Sequence, residues 1–184
     1  MMFEIFDNIL TIEEQKKIYN CFLDKKFPYF YLNYSVDKNI FNLSKNIKNI
    51  KENHIFNHTF YNDEKKISDN FHLVDYLFKQ FINKTNKKFN KILRCRLNIQ
   101  HKQNKKYKNC FNTPHIDFDK KHMVLLYYPI TSDGDTLIFD KDFKIIKKIK
   151  PLEGRFFLFD GQYYHSGGVP VKNDIRMVLN FNII

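Results

Sequence analysis

The chain has 184 residues, 31 Lys and Arg against 20 Asp and Glu, and a formal charge of +11. Its length suits one domain with a sizeable core, and 43% hydrophobic and 17% aromatic residues exclude a disordered chain despite 28% charge. Three cysteines, Cys21, Cys95 and Cys110, with no C-x-x-C spacing, argue against a disulfide framework and against a structural zinc site.

Met1 to Leu10 carries Glu4 and Asp7 and no long apolar run, so it reads as neither signal peptide nor membrane span. No later stretch is apolar for the roughly 18 residues a spanning helix needs. The expectation is a soluble, cytoplasmic protein with no membrane partner. The charge of +11 fits a nucleic-acid partner. Lys, Asn, Ile, Phe and Tyr are all abundant, however, and these share A/T-rich codons, so the charge alone decides nothing.

Thr11-Ile-Glu-Glu14 has capping-box spacing, and Ile12, Ile18, Tyr19, Phe22 and Leu23 follow at helical intervals, which predicts a helix to about Asp24. Phe27 to Tyr31 reads as extended and aromatic. Lys38 to Lys66 has no clear period. A second helix is expected from Ser68, with Phe71, Val74, Leu77, Phe78, Phe81 and Ile82 as its apolar stripe. From Ile92 the period changes to two. Leu93, Cys95, Leu97 and Ile99 take one face of a strand, and Arg94, Arg96, Asn98 and Gln100 the other. Further strands are expected at Met123–Tyr128, Thr136–Asp140, Phe143–Ile149, Arg155–Asp160 and Arg176–Ile183. Turns fall at Ser132-Asp-Gly134, Pro151–Gly154 and Gly167-Gly168. Many short strands without βαβ spacing predict an α+β chain. A jelly roll or sandwich would occupy residues 92–184 as a small β-barrel core, and residues 1–91 would form a helical and irregular support within one domain.

The chemistry concentrates in the second half. His115-Ile-Asp117 sets two metal-capable side chains on one side of an extended segment. His165, 48 residues after Asp117, is a candidate third ligand. Two imidazoles and one carboxylate leave half of an octahedral ion open, which suits non-haem Fe(II) chemistry. Arg176, eleven residues after His165, is suited to bidentate capture of a carboxylate. Arg94 and Arg96 could touch co-substrate or substrate, or only form an internal salt bridge. His54 and His58, four apart but lacking the H-E-x-x-H glutamate, read as ordinary histidines, and His122 reads as structural. Lys102, Lys105, Lys106 and Lys108, around Tyr107, form a basic loop that either contacts an acidic partner or is simply solvated.

The second half resembles the prolyl-4-hydroxylase-like branch of the Fe(II)/2-oxoglutarate oxygenases, especially small phage and marine-bacterial members. The resemblance is carried by Arg94–Gln100, Pro114-His-Ile-Asp117, Leu126-Tyr-Tyr128 and Ser132-Asp-Gly-Asp-Thr136. It continues through Gly154–Gly161, Tyr164-His-Ser166, Pro170–Asp174 and Arg176–Asn182, with a looser match at Phe6–Leu10. It implies a double-stranded β-helix of the jelly-roll or cupin type, buttressed by N-terminal helices. It also implies that His115, Asp117 and His165 hold Fe(II), and that 2-oxoglutarate and O2 are co-substrates. Arg176 would pair with the distal carboxylate of 2-oxoglutarate, helped by Tyr128, with Asn98 and Asn182 nearby. The implied reaction hydroxylates a peptidyl (prolyl-like) or small-molecule substrate and releases succinate and CO2. Animal and plant prolyl hydroxylases often carry Lys where Arg176 stands, which makes Lys172 its rival, and the Lys-rich insert His101–Cys110 lengthens the approach to the H-x-D pair. Two other readings stand beside this one. One is a nucleic-acid-modifying oxygenase of the same superfamily; the other is a non-catalytic jelly-roll binding module.

Overall fold

A computed structural model describes residues 3–36 and 47–184. The Thr11 capping box forms as the sequence predicts: Glu14 N donates to Thr11 Oγ1 at 3.2 Å, and Thr11 N donates to Glu14 Oε2 at 2.7 Å. It opens α1, Ile12–Phe22; α2 spans Phe71–Thr85 and stops where Asn86 turns left-handed at φ 54°. The strands among the described residues are β1 Phe3–Phe6, β2 Phe30–Leu32, β3 Ile55–Asn62, β4 Lys65–Lys66, β5 Ile92–His101 and β6 Met123–Tyr127. After them come β7 Thr136–Phe139, β8 Ile145–Ile149, β9 Phe156–Asp160, β10 Tyr164–Gly167 and β11 Ile175–Ile183.

The larger sheet runs β1-β9-β6-β11-β5-β3-β2, with β4 against β3; the smaller runs β10-β7-β8. Every named pairing is antiparallel. The arrangement has three layers. Leu97, Leu125, Leu158, Leu179 and Phe181 turn one face of the larger sheet towards α1 and α2, where they join Phe22, Leu77 and Phe81 in one core. Val124, Leu126, Phe157, Phe159 and Val178 turn the other face towards the smaller sheet and meet Ile138 and Ile149. Buried on both faces, β6 and β9 read as unbroken apolar runs, MVLLY and FFLF. β5 and β11 alternate, because their second face borders a polar cavity.

Several expectations change. The larger and smaller sheets are separate and face one another, so the expected barrel is not closed among the described residues. The first half supplies β1, β2 and β3 to the larger sheet and is more than a helical support. In the stretch without a clear period, residues 38–46 lie outside the described residues; its remainder contains β3, paired along β5. The strand expected from Phe143 starts at Ile145. Asp140 Oδ1 accepts from the N–H groups of Asp142 and Lys144, and Phe143 takes φ 60°, so these residues form a turn.

His58, 4% exposed, ties three segments together. Its Nδ1 donates to the Pro28 carbonyl at 2.7 Å, so Nε2 accepts from the Ser68 hydroxyl at 2.7 Å. Burial holds its pKa below the ordinary imidazole value. Because the folded pKa is depressed, the unfolded chain takes up the proton first as pH falls. Stability from this group is therefore complete above about pH 7 and is lost as pH drops through about 6.5. His58→Gln is expected to cost about 1–3 kcal/mol at pH 7.5. It should also flatten the decline in stability between pH 7 and 5, measured by urea unfolding. An unchanged slope would mean that His58 is not held neutral.

Candidate active site

Two backbone hydrogen bonds bring the histidines together. His115 N donates to His165 O at 3.0 Å, and His165 N donates to His115 O at 2.9 Å. This isolated antiparallel bridge joins the H-x-D segment to β10 and sets the ring centroids 4.8 Å apart. His165 thus lies within β10, a strand that the sequence reading did not include. Asp117, two residues beyond His115 on an extended chain, turns to the same side. Its Oδ2 is 3.4 Å from His165 Nε2, and its Oδ1 is 3.8 Å from His115 Nε2. One ligand-type atom from each residue lies within 4.8 Å of the others.

The protonation pattern suits a metal. His115 Nδ1 lies 3.0 Å from Thr113 O and His165 Nδ1 lies 3.3 Å from Tyr163 O. A carbonyl can only accept, so both Nδ1 atoms carry a proton and Nε2 is the nitrogen that each ring can turn to a metal. Burial, with the neighbouring His165, pushes the His115 pKa down to about 4. Burial alone would raise the Asp117 pKa; His165 and Arg94 outweigh it and hold the carboxyl well below its usual range. His165 Nε2 is buried and has no hydrogen-bond partner among the described residues. Two imidazoles and a carboxylate with open space beside them fit a divalent ion.

Asp117 is held from behind. Arg94 Nη2 donates to its Oδ1, while Asn180 Nδ2 and Asn182 Nδ2 donate to its Oδ2 at 3.0 and 2.8 Å. Arg94 Nε also donates to Asn182 Oδ1 at 3.0 Å, and its guanidinium lies 4.6 Å from the Phe118 ring centroid. Asn182 therefore supports the carboxylate and is absent from the cavity wall, whereas Asn98 lines it. Asn98 Oδ1 accepts from Asn57 Nδ2 at 2.7 Å.

Arg176 is 3% exposed at the other end of the same cavity. Its Nε donates to Gly134 O at 2.7 Å and its Nη2 to Thr136 Oγ1 at 2.8 Å, and it has no carboxylate partner among the described residues. Two glycines make its room: a Cβ on Gly134 would come within 2.9 Å of Arg176 Cδ, and one on Gly167 within 2.9 Å of Nη1. Lys172, the rival cation, is exposed and is absent from the cavity wall. Tyr128 is fully buried and also absent from the wall, with its hydroxyl 2.7 Å from Thr136 Oγ1. Burial pushes its pKa up to about 12, so it stays a neutral phenol that supports Arg176 through Thr136.

No family model and no curated protein matches the sequence. Solved structures do match. An oxidoreductase of the 2OG-Fe(II) oxygenase family from Burkholderia pseudomallei aligns with a TM-score of 0.68 at 12% identity, over 98% of this chain and 84% of that one. The viral collagen prolyl hydroxylase of Paramecium bursaria Chlorella virus-1, a 2OG complex, aligns at 0.56 and 16% identity over 100% and 96%. A Trichoplax adhaerens prolyl hydroxylase, in complex with a hypoxia inducible factor peptide fragment, aligns at 0.58 and 17% over 99% and 83%. The fold is the double-stranded β-helix of the 2-oxoglutarate oxygenases.

Within that oxygenase fold, the sequence brings His115, Asp117, His165, Arg176 and Asn98 to one cavity, and leaves Tyr128 and Asn182 behind its wall. Sequence reasoning missed Asn180 and Thr136 and left Arg94 undecided. The available signal was the period-two polar row Arg176, Asn180, Asn182 on the last strand. Partners of a ligating carboxylate orient it, and their loss commonly weakens metal binding by about 10–100-fold. Asn182→Ala is therefore expected to weaken Mn(II) binding about tenfold, read from the free-Mn(II) resonance in a titration, with Asn180→Ala milder. Unchanged affinity in both variants would mean that Asp117 needs neither amide.

Proposed function

We propose that the chain is an iron(II)- and 2-oxoglutarate-dependent dioxygenase that hydroxylates a peptidyl or small-molecule substrate. One observation carries the reading: two imidazole Nε2 atoms and an ionised carboxylate converge in a cavity that also contains a buried arginine with no acid among the described residues. Such a cation is costly unless something anionic meets it. The distal carboxylate of 2-oxoglutarate would meet it at Arg176, and His115, Asp117 and His165 would hold Fe(II). Iron(II) with 2-oxoglutarate and O2 supplies the oxidising power for hydroxylation, and succinate and CO2 are released. The protein's own part is to keep His115 neutral, hold Asp117 ionised and fix Arg176 through Gly134, Thr136 and Tyr128.

A peptidyl substrate is supported by the Trichoplax neighbour, whose complex contains a peptide. The nucleic-acid alternative gains little support. The basic loop leaves β5 beyond Gln100, six residues and about 20 Å along the strand from Arg94, which holds Asp117. We take residues 1–184 as one catalytic unit, supported by β1–β3 joining the same sheet as β5–β11. Cytoplasmic action is supported by three free cysteines. Among the described residues, no helix is long and apolar enough to cross a membrane.

The test is succinate formation from 2-oxoglutarate after anaerobic Fe(II) loading and exposure to air. Wild type should turn over slowly without its prime substrate, and His115→Ala should lose the activity. Arg176→Ala should raise the KM for 2-oxoglutarate by about 30-fold or more, since truncating one partner of a buried charge pair costs about 2–5 kcal/mol. A wild type that neither binds iron nor consumes 2-oxoglutarate would return the chain to the binding-module reading.

A further inference from the structure

Among the described residues, Arg96 is the one arginine on the cavity wall that nothing so far engages. It lies on β5 two residues from Arg94, opposite Asn180 of β11 on one side and Thr59 of β3 on the other. Its Nε is buried without a hydrogen-bond partner among the described residues. The same holds for Asn180 Oδ1, on the side chain whose amide nitrogen holds Asp117. Burial and the nearby charge of Arg94 depress the Arg96 pKa, and Asp117 only partly offsets them. Arginine nevertheless remains charged.

The charges on the wall do not balance. Among the described residues of the wall, Arg94, Arg96 and Arg176 face a single carboxylate, Asp117, an excess of two positive charges from three minus one. Iron(II) and the 2-oxoglutarate dianion are equal and opposite, so loading both leaves the excess in place. Glu52, which is not on the wall, is taken up by Ser35 and Thr113. Arg94 is committed to Asp117, and Arg176 lies at the far end, where its strand position faces Gln100, four residues and about 13 Å along β5 from Arg96. What remains is a half-buried guanidinium beside the metal ligands with no acid among the described residues.

We propose that Arg96 selects the prime substrate by binding an anionic group on it, a carboxylate or a phosphate, while Asn180 Oδ1 accepts a hydrogen bond from a neighbouring donor. This rests on the oxygenase reading and names the substrate class of the same site. An anion at Arg96 would sit beside the metal ligands and fix which C–H bond faces the iron. A neutral prolyl ring alone would leave the guanidinium unpaired, and that desolvation cost would discriminate against it.

The test uses full-length protein loaded with Mn(II) and saturated with 2-oxoglutarate under argon, titrated calorimetrically with matched probes. One arm compares N-acetylglycine with N-acetylglycinamide; the other compares glycerol 3-phosphate with glycerol. In at least one arm the charged member should bind about tenfold or more tightly than the neutral one, the size expected of a charge-assisted hydrogen bond. The arm that responds identifies carboxylate or phosphate. In Arg96→Gln the preference should fall to about twofold, and Arg96→Lys should keep part of it, with 2-oxoglutarate affinity unchanged in both. Retained Mn(II) and 2-oxoglutarate binding shows that the variants fold. Equal binding of charged and neutral probes to wild type overturns the proposal. So does a loss of 2-oxoglutarate affinity in Arg96→Gln, which would assign Arg96 to the co-substrate. Failure of wild type to bind Mn(II) and 2-oxoglutarate overturns the oxygenase reading and this proposal with it.

Discussion

The candidate centre depends on a single pair of backbone hydrogen bonds. His115 and His165 are 50 positions apart in sequence, and two imidazole rings have no side-chain attraction that would bring them together. The reciprocal N–H to O=C pair fixes them directly opposite one another, and the smaller sheet fixes His165, which pairs with Ile138 of β7. Register is therefore the controlling variable. Because strand side chains alternate, a slip of one residue at this bridge would turn His115 and Asp117 away from His165 together. Phe111, also bridged to Gly168, and Ser166, whose hydroxyl donates to Asn112 O, extend the same register upstream. The ligand geometry is thus a property of the sheet, with little left to side-chain rotamers.

The second constraint is electrostatic. A buried carboxylate and buried guanidinium groups are each expensive to take out of water, and the fold handles them differently. Asp117 receives three donors and is satisfied before any metal arrives. Arg176 receives two neutral acceptors and keeps donors in reserve. The difference matters for chemistry. A pre-oriented carboxylate binds a cation without reorganising, and a half-satisfied guanidinium favours a ligand that brings the missing charge. Neither group can be understood from its own strand. Arg94 comes from β5, Asn180 and Asn182 from β11, Thr136 from β7, and Gly134 from the turn before it.

What was legible in the sequence follows from this division. Strands buried on both faces announce themselves as apolar runs, and β5 and β11 do so by alternation, so the fold class and most strands of the second half could be read. β3 could not. Its polar residues Asn57, His58 and Thr59 are consecutive, and its register against β5 shifts between Thr59 and Tyr61, so no period of two survives. β10 is four residues, YHSG, too short and polar to register as a strand. The H-x-D pair and the distant His and Arg were legible because their types and spacing carry chemistry. The positions of Tyr128 and Asn182 were not, because what each touches is set by lateral neighbours on other strands. Arg94 illustrates the limit: alternation places it on the polar face, but only the sheet order decides that its partner is Asp117.

A polar row inside a sandwich of Phe and Leu is a poor choice for stability alone. Arg96 Nε, Gln100 Oε1, His165 Nε2 and Asn180 Oδ1 are buried without partners among the described residues, and each such group costs about 1–3 kcal/mol. The compensation lies on the opposite side of the same strands. Leu97, Met177, Leu179 and Phe181 are fully buried against the helix layer, where Phe6 meets Phe81 edge-on at 5.2 Å and Phe81 in turn packs on Phe156 at 5.3 Å. Fully burying a large apolar side chain contributes about 1.5–3 kcal/mol, so one well-packed residue offsets roughly one unpaired polar atom. The two helices are therefore part of the site's energetics although they contribute nothing to its wall. They let β5 and β11 present unsatisfied groups to the cavity, and those groups remain free for a ligand because the fold does not need them for itself.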